Sequence, residues 1–319
     1  MSTLTELGTI ADQVELVDPT TARVADHVVV AAGTESLQTA LTRAIYTRLY
    51  LGLQHDPGEP DDRRPATSRE DEAYVRSLIA AEGGRVHWTP GWRVTAVEPA
   101  YTEVRSEADG LRLIAVADEI RPRRHAVGDP VQVAIPTERR LVSRGFYLTN
   151  GLAGPVSGEQ PRLRWYLNAS PDGAPYLFDR LIVALDAAGC PFTLKTVNDP
   201  HAPARPDAMV LYTARDADLG EPVRTALTGA RLRDAVPAFT RRLAPGVAIA
   251  DDVSLAERRR LSFGLHRSLL VAQGVLAAGA GSADRQHSIA TAFREAGLDP
   301  ARPHLGPGAE ELALPGWSA

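Results

Sequence analysis

The stretch APYLFDRLIVALDAAGCPFTLKTV, residues 174–197, passes from a helix into a strand. Apolar residues recur at helical spacing at Leu177, Leu181 and Leu185, and Gly189 follows as a residue that commonly ends a helix. In the short segment PFTLKTV after this glycine, apolar residues alternate with polar ones, which is typical of a β-strand. The stretch therefore supplies one helix and one strand to the fold.

Outward from this stretch, helix and strand patterns are grouped rather than strictly alternating. Strands are predicted at 86–136, at 141–168 and in AMVLYTA (208–214). Helices are predicted at 36–53 and 68–84 and throughout the region after residue 220. A polar loop is predicted at 55–71, between the apolar parts of the first two helices. This grouping predicts an α+β fold with a small, mainly helical N-terminal part (1–130) and a larger α+β part (131–319).

Composition excludes several classes of protein. The net charge of −5 gives no basic field for nucleic acid, and 44% apolar with 24% charged residues is the balance of a soluble globular chain. No stretch has the pattern of a signal peptide or the length of a membrane span, so a cytoplasmic protein with no membrane partner is expected. Cys190 is the only cysteine, which agrees with a reducing compartment. Scattered histidines and the absence of standard motifs predict no metal site.

Lys195 is the only lysine among the 35 lysine and arginine residues. A genome biased toward arginine codons explains the missing lysines but not the one that is kept. Arginine is always charged, whereas burial and neighbouring cations favour the neutral form of a lysine. A lysine on an apolar strand among arginines is therefore suited to take a proton.

The residues around Lys195 are typical of a site for an anionic substrate such as a phosphate ester. Arginine offers a planar fork that matches phosphate. Because side chains two residues apart in a strand share one face, Arg164, Tyr166 and Asn168 are expected on one surface. The other candidates are Arg144, His201, Arg205, Tyr212, His266 and Arg267. Each residue type is also common in packing or on the surface, so only the combination indicates a site.

Five segments in order resemble the HopA-like type III effector family. They are RWYLN (164–168), PFTLK (191–195), RPDAMVLY (205–212), PAFTRRLAPGVAIA (237–250) and SFGLHR (262–267). The segments AIYTRLYLGL and GRVHWTPGWRV are also similar to parts of that family. The resemblance therefore covers nearly the whole chain.

The resemblance implies a lyase of the kind found in class V lanthipeptide and thioamitide biosynthesis. There, an aminoglycoside-phosphotransferase-like kinase phosphorylates a ribosomal precursor peptide that carries a leader, and the HopA-like partner eliminates phosphate to leave dehydroalanine or dehydrobutyrine, on which a cyclase can act. The resemblance implies that Lys195 is the base and that Arg205 and Arg267 bind phosphate, with no metal or organic cofactor. The general acid stays open among Tyr166, His201 and His266.

Two other functions are compatible with the sequence. Lys195 could form a Schiff base with pyridoxal phosphate, although no Gly/Ser-rich phosphate cup follows it. Alternatively, the chain is a non-catalytic subunit that binds a phosphopeptide or leader for a kinase. The N-terminal part, in particular helix 36–53 and the loop after it, would then be the docking surface.

Overall fold

The computed structural model describes residues 4–53, 70–158, 160–253 and 261–317. Helix (29%) and strand (28%) contribute almost equally, and the strands of the described part form three antiparallel sheets, which confirms the α+β class. The helices are α1 (Leu4–Asp12), α2 (Thr34–Ile45), a π-helical turn (Tyr46–Tyr50), α3 (Glu72–Glu82), a 3₁₀ turn (Ala117–Glu119), α4 (Ala174–Ala187), α5 (Gly220–Ala226), α6 (Phe263–Ala278) and α7 (Arg285–Glu295). The strands are β1 (Val14–Asp18), β2 (Thr21–Val24), β3 (His27–Val30), β4 (Val86–Val97), β5 (Thr102–Ser106), β6 (Arg112–Ala115), β7 (Ile120–Arg121), β8 (Pro130–Pro136), β9 (Phe146–Asn150), β10 (Arg162–Leu167), β11 (Phe192–Val197), β12 (Met209–Ala214), β13 (Arg241–Ala244) and β14 (Val247–Asp251).

The largest sheet has six strands in the order β13-β14-β10-β12-β11-β9. Alternation along β10 separates its two faces: Leu163, Trp165 and Leu167 join one apolar core and Tyr166 joins another. Helices α3, α4 and α5 cover the first face, and α2, the π-helical turn and α6 cover the second. Because both faces are covered, every residue of β10 after Arg162 is buried.

The helix and strand of residues 174–197 are confirmed. Helix α4 has Pro175 in its first turn, where a missing N–H costs no hydrogen bond. Gly189 follows its end with a φ of 65°, a left-handed conformation that glycine adopts without strain. Strand β11 then enters the six-stranded sheet between β12 and β9.

The prediction of a mainly helical N-terminal part is wrong. Strands β1, β2 and β3, which were not predicted, form a three-stranded antiparallel sheet, whereas β4 to β8 form a five-stranded sheet and confirm the strands predicted at 86–136. Val14 and Leu16 of β1 and Ala22 and Val24 of β2 are buried at alternate positions, so this segment carries the period of a strand. The turn at Asp18–Thr20, with the Asp18 carboxylate accepting from the Thr20 amide, joins the first two strands.

The prediction that the region after residue 220 is helical is also wrong in part. Helix α5 ends at Ala226, and residues 241–251 form the hairpin of β13 and β14. Gly246 at its turn has a φ of 70°, and a Cβ there would lie 2.2 Å from the Arg233 carbonyl oxygen. A chain that passes this close to the turn explains why glycine is required.

The N-terminal helices pack directly on the C-terminal ones. Leu37, Leu41 and Ile45 of α2 share an apolar core with Phe263 and Val271 of α6. The division near residue 130 stays a prediction, and this core contains residues from both sides of it. Most of the predicted loop 55–71 lies outside the described residues. In the part of the chain that the structure describes, no helix has both the length and the apolar character to cross a bilayer.

Candidate functional site

The candidate side chains on strands β10, β11 and β12 lie on the face of the six-stranded sheet that α2, the π-helical turn and α6 cover. The strand register sets Tyr166 opposite Val210, and Val210 opposite Lys195. In the neighbouring row, Arg164 lies opposite Tyr212. Directly paired residues of antiparallel strands point to the same face, so the lysine, the arginine and both tyrosines share one surface.

Lys195 is half-buried and sits on aromatic rings. Its Nζ atom lies 4.2 Å from the centroid of the Phe146 ring and 5.9 Å from that of Tyr212. Among the described residues, no hydrogen bond or salt bridge engages Nζ. The electrons of the ring faces attract the ammonium group without providing a proton acceptor. The amine is therefore held in place with its donors available to a ligand.

Arg205 forms a charged pair beside the ring on which Lys195 packs. Its Nε and Nη2 atoms donate to the two carboxylate oxygens of Asp207 at 2.5 and 2.8 Å, and its guanidinium carbon lies 5.1 Å from the centroid of the Phe146 ring. Burial alone would raise the pKa of Asp207, but Arg205 and, to a smaller extent, Lys195 hold that pKa below its usual range. Phe146 is thus shared by the two cations, and Asp207 is influenced by both.

Arg164 forms a second, more deeply buried pair. Its Nε and Nη2 atoms lie 2.7 and 2.6 Å from Oδ1 of Asp252, and its guanidinium carbon lies 5.1 Å from the centroid of the Tyr212 ring. Burial works against its charge, but Tyr212, Tyr166 and Asp252 together raise the pKa of Arg164 well above its ordinary value. Two arginines on this face are therefore each oriented by one aspartate.

Besides Tyr212, three phenols border the arginines. Tyr46 and Tyr50 of the π-helical turn stack with their ring centroids 5.2 Å apart, and Tyr46 Oη accepts a hydrogen bond from Arg205 Nη2 at 3.4 Å. Burial, reinforced by Asp207, raises the pKa of Tyr46 to about 12. Tyr166 is 1% exposed, and burial raises its pKa as well. Tyr50 and Arg164 are close enough to influence the Tyr166 hydroxyl, but neither makes a hydrogen bond of normal geometry to it.

A cavity of about 220 Å³ opens beside Arg205. Asn168 is buried at its wall, just beyond the end of β10, and its Nδ2 atom donates to the Ala235 carbonyl oxygen at 2.9 Å. Arg233 and Tyr50 also line it. The cavity therefore has a cationic edge next to the shared aromatic ring.

The other predicted residues lie on α6 or in loops, and Arg267 is linked to the cluster through Phe263, whose ring centroid lies 4.8 Å from its guanidinium carbon and 6.3 Å from the centroid of the Tyr166 ring. Arg267 is 1% exposed, and its Nε and Nη2 atoms donate to the carbonyl oxygens of Pro303 and Leu305. The buried His266 ring lies beside it, with Nδ1 2.6 Å from Nη1. His201 is exposed in the turn after β11, and Arg144 is exposed before β9. The cluster thus unites Lys195, Arg164, Arg205, Tyr166 and Tyr212, with Asn168 at its border.

Sequence reasoning missed Tyr46, Phe146, Asp207 and Asp252. The segment RPDAMVLY contains Asp207 two residues after its partner Arg205, so the sequence itself indicates an acid near this arginine. Tyr46 instead fits the apolar stripe of a helix, which hides its contact with Arg205. No group of three or more His, Cys, Asp or Glu residues arranged to hold a metal ion occurs in the described ranges.

Comparisons with known proteins agree with this architecture. The sequence profile of the HopA1 effector protein family matches residues 137–305, which contain the whole cluster, whereas Tyr46 and Tyr50 lie outside the match. The solved effector protein from Pseudomonas syringae pv. tomato strain DC3000 is similar at a TM-score of 0.53 and 14% identity, over 95% of this chain and 96% of that chain. The effector from Pseudomonas syringae pv. syringae strain 61 gives 0.51 and 14%, over 95% and 97%. At such identity the likeness shows the fold alone. The search of curated proteins found no match.

Proposed function

The chain belongs to the HopA1 effector protein family, and we propose that it is a phosphoserine/phosphothreonine lyase that eliminates phosphate from a ribosomal precursor peptide. The observation that carries this proposal is the position of Lys195. The only lysine of the chain lies on the same sheet face as Arg164, and its Nζ atom packs on Phe146, the ring that it shares with Arg205, and has no acid bound to it among the described residues.

The reaction requires a base and a cationic site for the leaving group. Lys195 would remove the α-proton in its neutral form, and a positioned base contributes ~10² to 10⁴-fold to a rate. Arg205 uses Nε and Nη2 for Asp207 and Tyr46, so within the described part of the chain both N–H groups of Nη1 remain for phosphate oxygens. Asp207 would fix the plane of the guanidinium in which those donors point.

The partners follow from the substrate. A phosphorylated peptide requires a kinase, and we propose one of the aminoglycoside-phosphotransferase-like type acting on a precursor with a leader segment. The cavity beside Arg205, lined also by Asn168 and Arg233, would receive the peptide next to the phosphorylated residue.

The charge of the cluster favours a second candidate function, phosphopeptide binding without turnover. Among the described residues, Arg164 and Arg205 are each paired with an aspartate, so Lys195 carries the one positive charge of this cluster without a bound acid. One such charge is sufficient to attract a phosphate group, whereas elimination also requires stabilisation of the charge that develops as phosphate leaves.

Incubation of the full chain with a library of synthetic phosphoserine and phosphothreonine peptides tests the lyase. Mass spectrometry should show loss of phosphoric acid with the wild type. Lys195→Arg keeps the charge and removes the base, so its rate should be lower by a factor of ~10² or more. An intact library after incubation with the wild type, or equal rates for both proteins, contradicts the proposal.

Binding is measured separately, on the wild type. Reductive ¹³C-methylation labels Lys195 and the N-terminal amine alone, because the chain has no other lysine. A shift of the Lys195 signal on peptide addition, together with no turnover by any preparation, would assign the protein to the second candidate.

A further inference from the structure

The π-helical turn brings a phenol to the cation cluster from outside the sheet. The Leu51 amide donates to the Tyr46 carbonyl oxygen at 2.9 Å, a bond across five residues that widens the end of α2. Such turns are rare and often occur at functional sites. Here the turn holds Tyr46 and Tyr50 stacked within 18° of parallel and directs the Tyr46 hydroxyl to Arg205.

The hydrogen bond from Arg205 determines where the Tyr46 proton can point. Because Arg205 Nη2 donates to Tyr46 Oη, the oxygen is already an acceptor, and its own hydrogen must point away from the guanidinium. None of the described residues accepts that hydrogen. Tyr46 is half-buried, whereas Tyr166 is 1% exposed and enclosed by Tyr50, Phe263 and Arg164.

We infer that Tyr46 is the catalytic proton donor to the departing phosphate. This inference rests on the proposed lyase function and names its general acid, the role for which Tyr166, His201 and His266 were considered. Arg205 connects the parts of the site: it contacts Tyr46 through Nη2 and shares the Phe146 ring with Lys195. A phosphate group bound at Arg205 Nη1 would therefore contact the same guanidinium that holds Tyr46 and packs on the ring beneath Lys195.

The step balances without a co-reactant. Lys195 takes the proton from Cα, and the electron pair of that C–H bond forms the Cα=Cβ double bond. The Cβ–O bond breaks, its electron pair stays on the phosphate oxygen, and that oxygen takes the proton of Tyr46. Hydrogen phosphate and the dehydrated peptide leave, and the proton on Lys195 returns through water to the Tyr46 oxygen.

The acidity of Tyr46 suits this task. With its pKa raised to about 12, chiefly by burial, Tyr46 is protonated at neutral pH. The group that would depart without a donor is the phosphate trianion, whose conjugate acid ionises in the same range. Arg205 and Arg164 act in the opposite direction on the Tyr46 pKa, so both cations stabilise the tyrosinate that forms.

The test compares two leaving groups on the peptide that the wild type processes fastest. In one version the residue is phosphoserine, and in the other it is S-phosphocysteine, whose thiophosphate is a weaker base and departs without a proton. Tyr46→Phe should lower elimination from phosphoserine ~10²-fold or more and lower elimination from S-phosphocysteine far less. Exchange of the α-proton in D₂O, which depends on Lys195, should persist in this variant.

Tyr74→Phe is the matched control. Burial raises the pKa of Tyr74 to about 12 as well, but its ring belongs to the core on the opposite face of the six-stranded sheet. Its rates should equal those of the wild type on both substrates. If Tyr46→Phe unfolds, 3-fluorotyrosine at position 46 is used instead, because it keeps the hydroxyl and lowers its pKa. The pH above which the elimination rate falls should then be lower than in the wild type.

The outcomes separate the two proposals. Wild-type turnover with a Tyr46→Phe rate unchanged, or reduced equally for both leaving groups, overturns the role of Tyr46 and leaves the lyase intact. A leaving-group-specific loss in Tyr212→Phe and none in Tyr46→Phe also overturns it. A wild type that processes no peptide of the library contradicts the lyase and the proton donor together.

Discussion

The Nζ atom of Lys195 lies 4.2 Å from the centroid of the Phe146 ring. The two residues come from neighbouring strands, β11 and β9, at diagonal positions of one sheet face. Phe146 also lies 5.1 Å from the guanidinium carbon of Arg205. One aromatic ring therefore sets the positions of two cations that would hold a phosphate group.

Replacement of this ring should weaken phosphopeptide binding more than it weakens the fold. Phe146→Leu keeps an apolar side chain but removes the π face, worth about 1 kcal/mol for a partly desolvated cation, which is roughly fivefold in Kd. Calorimetric titration of the phosphopeptide measures the change. Phe192→Leu of β11, which faces the opposite core, is the control and should leave Kd unchanged. Equal affinities for wild type and Phe146→Leu would contradict the role of the ring.

Asp207 should stabilise the fold in a pH-dependent way. Its folded pKa is depressed, so its contribution is complete above the unfolded value of about 3.9 and is lost as pH falls through the folded pKa. Asp207→Asn leaves Arg205 unpaired and should lower the free energy of unfolding at pH 7 by about 3 to 5 kcal/mol.

Urea unfolding of wild type and Asp207→Asn from pH 7 to pH 3 measures this contribution. The difference between the two proteins should shrink once the pH is below about 4. Asp172→Asn, in the exposed pair with Arg231, should change stability little at any of these pH values. A difference for Asp207→Asn that is constant down to pH 3 would contradict the assignment.

Gly264 controls the position of the stacked tyrosines. A Cβ at this position would lie 2.5 Å from Cε1 of Tyr50, so Gly264→Ala must move that ring and, through the stack, Tyr46. Gly274→Ala is matched because its Cβ would lie 2.4 Å from Cα of Ile289, away from the cluster. Both variants should lose about 1 to 3 kcal/mol in thermal or urea unfolding, and only Gly264→Ala should also lose phosphopeptide turnover. Equal turnover in the two variants would show that the stack has no part in the site.

Arg267 should contribute to the stability of the fold rather than to phosphate binding. Arg267→Gln leaves the carbonyl groups of Pro303 and Leu305 without their donors, which costs about 1 to 3 kcal/mol for each buried group. Thermal unfolding should record this loss, while phosphopeptide affinity measured well below the melting temperature stays that of the wild type. Weakened binding with an unchanged melting temperature would instead support the phosphate-binding role that the family resemblance implies.

The sequence predicted an element correctly where its periodic pattern of apolar residues fits only a helix or only a strand. The 3.6-residue period of 174–187 and the glycine after it determined α4, and the two-residue period of β10 separated Arg164 and Tyr166 from Trp165. The prediction of helix was wrong at Val14–Val30, because the strands there are too short to show a clear two-residue period. It was also wrong at 241–251, where the close approach of Arg233 to Gly246 determines the hairpin.

The candidate site divides in the same way. A single lysine on an apolar strand is visible in the sequence, because the choice of lysine over arginine is chemical and local. Which groups surround Lys195 is set by contacts distant in sequence: Phe146 comes from another strand, and Tyr46 lies 159 residues before Arg205. Strand register and helix packing bring these groups together, and only the tertiary structure decides them, since no local pattern encodes which faces meet.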